Sequence, residues 1–418
     1  MPRFSPVDAT VTIELDGDQL QAREGEPVAC ALVANDELIF SRSPKYHRPR
    51  GPFCMTGACS HCLMRVDGVP NVATCRVPVK SGMRLERQNA LPDGRIDLLR
   101  ANDFIFRDWF NHHEFMAGWP LAEQVLLKVA RQLSGLGLLP EKPAEPRQPA
   151  VIEEHELVIV GAGAAGLAAS RQLTSRGIKH TLFERENQVG GRLISAAEAG
   201  QPAPWNAPAR LGAEVVGLFA DEHRPFLAVI EKERLHLIFY QRLLLTVGGH
   251  PALPTFPNND LPGVMAGRAV STMIRRHGVL PGKRVACVGE LDEARSLAEL
   301  VKGAGGEALA IGAEVVRAHG LREVTHVTVK PGGKLDCDII AVCAPLSPAF
   351  ELARCGGAQV AWNAKTGSFV VQCDPRGQTA NPTLFVAGEI RGPMSSAAAA
   401  EQGLAAADAI AGGAGGRA

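Results

Sequence analysis

The stretch ELVIVGAGAAGLAAS, residues 156–170, joins a run of apolar residues to a glycine-rich turn and an alanine-rich continuation. The apolar run predicts a buried strand, and the alanines predict a helix. Glycines at Gly161, Gly163 and Gly166 would let backbone N–H groups at the helix N-terminus approach a pyrophosphate. The stretch therefore predicts a dinucleotide-binding unit, with an ordinary tight strand–helix turn as the alternative.

The next residues extend this unit. The predicted strand KHTLFERE contains Glu184, placed where a carboxylate can accept hydrogen bonds from the adenosine ribose. The following NQVGGRL contains Gly190, Gly191 and Arg192, and Arg192 is a candidate ligand of a phosphate group. This loop resembles the second pyrophosphate loop of two-dinucleotide-domain flavoproteins, and the resemblance implies FAD rather than a nicotinamide dinucleotide.

Two further segments are predicted to reach the flavin. NPTLFVAGEIRGPMSSAAAAEQGLAAADAI, residues 381–410, predicts a strand that ends at Gly388 and Glu389, followed by a helix. It resembles an element of glutathione-reductase-type flavoproteins that usually reads A-G-D, in which the acid holds the ribityl chain. The resemblance implies that role for Glu389. LLLTVGGHP stands where such enzymes carry an A-T-G turn, so Gly248 is expected to contact the cofactor.

Four of the ten cysteines lie close together, with the spacing Cys54-x4-Cys59-x2-Cys62-x12-Cys75. This order matches the plant-type arrangement for a [2Fe–2S] cluster, and four ligands suit two irons. A zinc site is the alternative, although zinc modules generally pair two C-x2–4-C knuckles. Unligated thiols are the third reading. We predict that these cysteines are the cluster ligands, and that the cysteines of the flavin half are small buried hydrophobes.

The residues around the cysteines indicate a small α+β domain. TVTIELDGDQLQAREGEP, residues 10–27, alternates about Asp16 and Gly17 and predicts a hairpin, and PVACALVAND predicts a helix. The segment at 51–79, GPFCMTGACSHCLMRVDGVPNVATCRVPV, resembles the ferredoxin-like module of bacterial hydrogen cyanide synthase and of related amino-acid and opine dehydrogenases. The resemblance implies a β-grasp fold.

A second glycine motif is degraded. PGKRVACVGELDEARSLAELVKGAG begins as a nucleotide-binding unit, but only Gly289 remains, with Leu291 and Ala294 at the other two glycine positions. Three acidic residues lie in the same turn: Glu290, Asp292 and Glu293. Negative charge there opposes a phosphate, so we expect a domain kept for packing or subunit contact, and NAD is not expected to be its ligand.

The connecting sequence identifies a family. FPNNDLPGVM, residues 256–265, resembles the large subunit of heterotetrameric sarcosine oxidase, and the resemblance covers residues 155–412. The chain is thus identified as an α subunit of the sarcosine oxidase, hydrogen cyanide synthase, opine and hydroxyproline dehydrogenase family. This implies an FAD-containing β subunit of the amino-acid-oxidase fold as partner and an acceptor protein or quinone. It leaves open an FMN at a subunit interface.

The predicted fold is an α+β N-terminal β-grasp ferredoxin-like domain followed by an α/β two-dinucleotide-binding-domain flavoprotein fold. The ferredoxin-like domain spans 1–95, and a helical connector and proline-rich linker spans 96–150. A split FAD domain comprises 151–265 and 365–418. The degenerate second nucleotide-binding-like domain occupies 266–364.

Composition excludes several classes of protein. Lysine and arginine number 44 against 44 aspartates and glutamates, so no basic surface favours nucleic acid. The sequence has no apolar run typical of a transmembrane segment and no signal pattern, which predicts a cytoplasmic protein, with peripheral membrane attachment through its partners left open. His112, His113 and Glu114 form a dense titratable group for which a surface or interface position is expected. No catalytic residue is assigned.

These observations predict an electron-transferring FAD and [2Fe–2S] subunit of a hetero-oligomeric dehydrogenase or oxidase. Its substrate would be the CH–NH group of an amino acid, N-alkyl amino acid or opine. A flavin accepts a hydride and releases electrons singly, which suits a neighbouring one-electron cluster. The alternatives are a self-sufficient FAD-dependent NAD(P)H:acceptor oxidoreductase and a non-catalytic cofactor-bearing scaffold subunit.

Overall fold

The structure is a computed structural model that describes residues 3–5, 10–44, 46–90, 97–105, 124–125, 128, 148–195, 208–221 and 224–412. The chain forms two compact units. Unit 1 comprises Met1–Ala144 and Leu253–Ala344, and unit 2 comprises Glu145–Ala252 and Pro345–Ala418. The predicted group at 112–114 and most of the predicted connector lie outside the described residues. The four-domain division made from sequence stays a prediction.

The elements are numbered along the chain. The strands are β1 (Thr10–Leu15), β2 (Asp18–Arg23), β3 (Ser41–Arg42), β4 (Pro49–Arg50), β5 (Leu63–Val66), β6 (Val69–Ala73), β7 (Arg84–Glu86), β8 (Val151–Val160), β9 (Thr181–Glu184), β10 (Ala209–Leu211), β11 (Ala213–Asp221), β12 (Arg224–Glu231), β13 (Arg234–Leu245), β14 (Gly249–Pro251), β15 (Val264–Ala266), β16 (Arg284–Gly289), β17 (Glu307–Ile311), β18 (Glu314–His319), β19 (His326–Lys330), β20 (Gly333–Asp336), β21 (Ile339–Cys343), β22 (Leu346–Pro348), β23 (Val360–Asn363), β24 (Ser368–Val371) and β25 (Leu384–Val386). The α-helices are α1 (Val28–Ala34), α2 (Ala101–Ile105), α3 (Ala164–Ser175), α4 (Arg192–Ser195), α5 (Gly267–His277), α6 (Leu291–Gly303), α7 (Glu351–Cys355) and α8 (Ser396–Gly412). Short 3-10 helices cover Leu98–Arg100 and Glu389–Arg391.

The N-terminal part of unit 1 is a five-stranded mixed sheet in the order β2-β1-β7-β5-β6. The predicted hairpin is confirmed, because β1 and β2 pair antiparallel and both turn residues, Asp16 and Gly17, have positive φ. β7 pairs parallel to β1 and antiparallel to β5. Helix α1 buries six of its seven residues. The predicted α+β domain is therefore confirmed.

Residues 253–344 of unit 1 contain most of the region, 266–364, that was predicted as the second nucleotide-binding-like domain. Their parallel sheet has the order β15-β21-β16-β17, and a separate antiparallel sheet has the order β18-β19-β20. One hydrophobic cluster contains core residues of the N-terminal sheet, such as Ile13 and Leu85, together with Met273 of α5 and Leu297 of α6. The two parts of unit 1 thus share a core.

Unit 2 is built on a seven-stranded sheet in the order β10-β9-β8-β13-β12-β11, with β25 also paired to β13. The long strand β13 pairs parallel to β8 and β25 and antiparallel to β12. The last strand of this sheet, β25, comes from the C-terminal part of the chain. The two-dinucleotide-domain fold class is confirmed, since each unit carries a parallel sheet with a glycine turn leading into a helix.

Among the described residues, no helix is both long enough and apolar enough to span a membrane.

Helices α3 and α8 pack closely in unit 2 through Gly403. A Cβ at this position would lie 2.1 Å from the backbone oxygen of Ala165. We therefore expect Gly403→Ala to lower the free energy of unfolding by about 1–3 kcal/mol and to lower the Tm, because backbone must move to admit the methyl group. Gly412→Ala in the same helix is the control, since a Cβ there meets nothing within 4 Å. Equal thermal shifts in the two variants would contradict this packing.

Candidate cofactor sites

The iron–sulfur loop, residues 51–75, brings the four predicted ligands into one region. Cys54 lies between β4 and β5, Cys62 directly precedes β5, and Cys75 follows β6. Positive φ angles at Met55 and Gly57 curl the backbone between the first two cysteines. Cys54, Cys62 and Cys75 are buried and Cys59 is partly exposed, so one edge of the loop faces solvent.

The four sulfurs contact one another. The Cys54 side chain is hydrogen-bonded to Cys59 and Cys75, and Cys62 is hydrogen-bonded to Cys75. These bonds hold the pKa of the Cys54 thiol far below its usual value and lower the pKa of Cys62 to about 7. The thiolate is the form that binds metal. The same bonds raise the pKa of Cys59 and Cys75, so thiolates at Cys54 and Cys62 are stabilised by neighbouring thiols. The close contact of the four sulfurs fits a metal-binding loop.

Other cysteines of the chain behave differently. Burial raises the pKa of Cys287 and of Cys337 to about 12, which keeps both as thiols. These two match the expected small buried hydrophobes. Two residues correct that expectation, because Cys355 is exposed at the end of α7 and Cys373 is only half-buried. A short helix exposes its last residue, which spacing along the chain does not reveal.

Zinc and a [2Fe–2S] cluster both take four cysteine ligands. The contacts among the four sulfurs fit either centre. The choice between them therefore rests on the spacing Cys54-x4-Cys59-x2-Cys62-x12-Cys75, which has the plant-type [2Fe–2S] order.

The first glycine motif forms a tight turn in unit 2. Gly161 has φ +98°, and a Cβ on Gly166 would lie 1.9 Å from the Gly161 oxygen. The Thr246 hydroxyl donates to the same oxygen at 2.7 Å. A Cβ on Gly163, the residue before α3, would meet nothing within 4 Å. Gly161 and Gly166 are thus required by packing, whereas Gly163 leaves open space at a helix N-terminus, which fits a phosphate.

Glu184 lies at this turn, as predicted. Its carboxylate is buried and accepts hydrogen bonds from the backbone N–H groups of Ala162 at 2.7 Å and Glu186 at 3.0 Å. The end of β9 is thereby tied to the glycine turn. The carboxylate is held where the ribose of a dinucleotide is bound in folds of this type.

The second loop packs on the first. The Gly190 N–H donates to the Ala162 oxygen at 2.8 Å, and a Cβ on Gly191 would lie 3.2 Å from the Gly163 Cα. Gly191 has φ +48°, which also favours glycine. Both predicted glycines therefore border the open space at Gly163.

Arg192 and Glu389 form an ion pair. Arg192 Nη1 donates to Glu389 Oε1 at 2.7 Å and to the Met394 oxygen at 2.7 Å. Glu389 Oε2 lies 4.0 Å from the position of a Cβ on Gly248, and the Gly388 N–H donates to Gln402 at 3.1 Å. The structure thus brings the predicted flavin-side residues together, and Arg192 contacts the predicted ribityl acid.

Ser396 is a site residue that sequence reasoning missed. It is the first residue of α8 and is only 3% exposed, and its Oγ has no hydrogen-bond partner among the described residues. A buried hydroxyl without a partner is costly unless a ligand satisfies it. Its place beside the Arg192 contact at Met394 fits a group bound at the α8 N-terminus. An unremarkable serine in SSAAAA carries no sequence signal for this role.

The second glycine motif does not fit a dinucleotide. Gly289 has φ +117°, and a Cβ there would lie 2.0 Å from the Cys343 oxygen, so this glycine is required by packing. Leu291 stands at the first position of α6 and packs toward Gly312. Asp292 and Glu293 occupy the first turn, where their charges favour the helix dipole and repel a phosphate. The turn at Gly289 therefore lacks both the space and the charge that a dinucleotide phosphate requires.

Comparisons with known proteins agree with the two sites. Residues 8–90 match a family described as a 2Fe-2S iron-sulfur cluster binding domain, and residues 159–226 match one described as an NAD(P)-binding Rossmann-like domain. The structure is similar to that of L-proline dehydrogenase from P. horikoshii, with TM-score 0.75 and 21% identity, over 100% of this chain and 77% of that one. Fold and sites define a two-dinucleotide-domain flavoprotein with an N-terminal iron–sulfur domain.

Similarity to two known proteins shows the family to which the chain belongs. The sarcosine oxidase α subunit of Rhizobium meliloti is 26% identical over 98% of this chain and 47% of its own length. The hydrogen cyanide synthase subunit HcnA of Pseudomonas aeruginosa is 35% identical over 19% of this chain and 77% of its own. The chain belongs to the family that includes these two subunits. It spans about half the length of the sarcosine oxidase α subunits that it matches.

Glu184 provides a test of the dinucleotide site. Glu184→Gln places an NH2 group opposite one of two backbone N–H donors, so one buried donor loses its acceptor. We expect the Kd for FAD to rise about tenfold or more, equivalent to about 1.4–3 kcal/mol. Flavin fluorescence quenching on adding FAD to apoprotein measures it. Glu233→Gln, an exposed position in the same unit, is the matched control and should leave the Kd unchanged.

Proposed function

We propose that this chain is the FAD and [2Fe–2S] electron-transferring subunit of a hetero-oligomeric dehydrogenase or oxidase that acts on amino-acid CH–NH groups. The observation that carries the proposal is the presence, in one chain, of a buried four-cysteine loop on a ferredoxin-type sheet and a flavoprotein-type dinucleotide turn. A flavin supplies two-electron acceptor chemistry and a cluster supplies one-electron chemistry. A chain with both suits the relay of electrons out of a substrate.

The protein's residues have distinct proposed roles toward FAD. Gly163 leaves room for the pyrophosphate, and Gly190 and Gly191 close the other side of that space. Glu184 accepts from the ribose while it also holds the turn. On the flavin side, Glu389 binds the ribityl chain and Gly248 lies beside it.

Arg192 acts on this site through Glu389. Its guanidinium holds the acid at 2.7 Å and also ties down the Met394 oxygen, two residues before α8 begins. The Ser396 hydroxyl and the α8 N-terminus would then contact the bound flavin, and the helix dipole would favour its reduced, anionic form. Arg192 is accordingly proposed as a positioning residue for Glu389, and its expected contact with a phosphate group stays a prediction.

The proposed substrate class follows from the relatives' names. Sarcosine and L-proline, named for two proteins to which this chain is similar, are both secondary amino acids with a CH–NH group. We propose such a compound, an N-alkyl amino acid or an opine as substrate. Hydride removal would occur at the flavin of a partner β subunit of the amino-acid-oxidase fold. An acceptor protein or quinone would receive the electrons, and an FMN at the subunit interface is compatible with this scheme.

The cluster is tested by substitution of a ligand. Cys59→Ser should abolish the visible absorption of the cluster and reduce iron from about two atoms per chain to near zero, because each ligand is needed. Iron and sulfide analysis of the purified chain measures this. Cys355→Ser, which changes an exposed cysteine outside the loop, should retain full iron. Zinc in place of iron in the unsubstituted protein would refute the cluster.

Electron entry is tested by mixing experiments. The chain alone should show no rapid bleaching of flavin by NADH, because the second glycine turn carries acidic residues in the phosphate position. Sarcosine or L-proline should bleach the flavin only when co-purified partner chains are present. Stopped-flow absorbance records both reactions. Fast bleaching of the lone chain by NADH would instead establish the NAD(P)H:acceptor oxidoreductase.

A further inference from the structure

The approach to the iron–sulfur loop is held by a carboxylate from a distant part of unit 1. Arg48 directly precedes β4 and Arg50 is its last residue, just before the loop. Arg48 Nη1 lies 3.0 Å from Asp260 Oδ1, and Arg50 Nη1 lies 3.2 Å from Asp260 Oδ2. Asp260 is 11% exposed and each arginine about a quarter exposed, so the bridge is partly shielded from water.

Asp260 belongs to the docking segment, residues 256–265, which has the sequence FPNNDLPGVM. Arg48 Nη2 also donates to Asn258 Oδ1 at 2.6 Å, and Asn258 Nδ2 donates to the Ala318 oxygen at 2.8 Å. Asn258 adopts φ +64°, a conformation that asparagine tolerates better than most residues. The segment is therefore tied both to the arginines and to its own domain.

The backbone of the loop also contacts the docking segment and the residue that follows it. The N–H of Ala266, the last residue of β15, donates to the Phe53 oxygen at 3.0 Å. A Cβ on Gly51 would lie 2.2 Å from the Leu38 oxygen and 3.1 Å from the Pro262 Cβ. Residues next to Cys54 are thus wedged between the ferredoxin-type domain and the docking segment.

The bridge also sets the charge where the loop begins. Arg50 is the residue directly before the loop, and Asp260 lies 3.2 Å from its guanidinium. Asp260 therefore offsets the positive charge of Arg50 at this end of the loop.

We propose that the docking segment fixes the iron–sulfur loop on the second nucleotide-binding-like domain, and that Asp260 is a positioning residue that also sets the cluster's reduction potential by balancing Arg50. The inference rests on the cluster proposed above. Reduction adds one negative charge to the cluster, so nearby positive charge favours the reduced form and nearby negative charge opposes it. The second nucleotide-binding-like domain would thus support the iron–sulfur loop, a role that requires no bound nucleotide.

This charge balance predicts shifts of opposite sign. Asp260→Asn keeps the side-chain shape and removes the negative charge, so the midpoint potential should become more positive. Arg50→Gln removes the positive charge, so it should become more negative. The double variant should lie between the two. Arg48→Gln, which removes the other arginine bound to Asp260, should also make the potential more negative.

The experiment is a redox titration of the full-length chain, followed by the cluster's EPR signal, with iron content measured on every sample. Asp260→Glu retains the charge and should leave the potential near that of the unsubstituted protein. Asp338→Asn disrupts an exposed ion pair with Arg284 in the same unit and should cause no shift.

The outcomes separate the two proposals. Opposite shifts with full iron content support the role of Asp260. Shifts in one direction, no shift, or a Glu variant that behaves like the Asn variant would overturn it. If Asp260→Asn does not retain iron, Arg50→Gln decides alone, and an upward shift or no shift refutes the proposal. Absence of iron from the unsubstituted protein would refute the cluster itself rather than this inference.

Discussion

The shared hydrophobic cluster of unit 1 is the interaction on which the iron–sulfur half depends. A domain of about 80 residues buries little surface by itself and is only marginally stable alone. Here its sheet and α1 share a core with α5 and α6, and Cys54, Cys62 and Cys75 belong to that core. The positions of three sulfurs are therefore fixed by burial of the surrounding apolar residues. The preference for the cluster over free thiols rests on that order, because a mobile loop could not hold four sulfurs together.

Comparison of the two glycine motifs shows which glycines are required by packing of the fold and which leave space for a ligand. Gly161 and Gly289 correspond, and each is required because a Cβ would meet backbone of a neighbouring strand. Gly163 corresponds to Leu291. At Gly163 there is open space, so its glycine is explained by a ligand, and at Leu291 a side chain is tolerated because nothing needs to approach. The residue at the middle position of the motif therefore indicates whether the turn has space for a dinucleotide phosphate.

Sequence alone predicted the features that depend on local pattern: the hairpin at Asp16, the strand–turn–helix at Gly161 and the fold class. It did not predict contacts between segments far apart in the chain. The motif around Asp260 was recognised only as a mark of the family, and its ion pairs with Arg48 and Arg50 were not predicted. The partner of Arg192 and the buried hydroxyl of Ser396 also depend on tertiary packing. Contacts between residues far apart in the chain leave no periodic pattern in the sequence, so they could not be predicted from it.

The two cofactor sites share an electrostatic arrangement that suits the proposed relay. Asp260 pairs with both Arg50 and Arg48, and Asp103 lies 3.4 Å from Arg48, so two carboxylates offset these two arginines. In unit 2, Arg192 pairs with Glu389 from a distant segment of the chain. An unbalanced arginine beside a cofactor would favour its reduced state strongly and retain the electron. When a carboxylate offsets its charge, the arginine still holds neighbouring residues in place, but it favours the reduced state of the cofactor less strongly. A subunit that passes electrons onward needs both cofactors to be reduced and reoxidised readily, and paired charges provide this better than isolated ones.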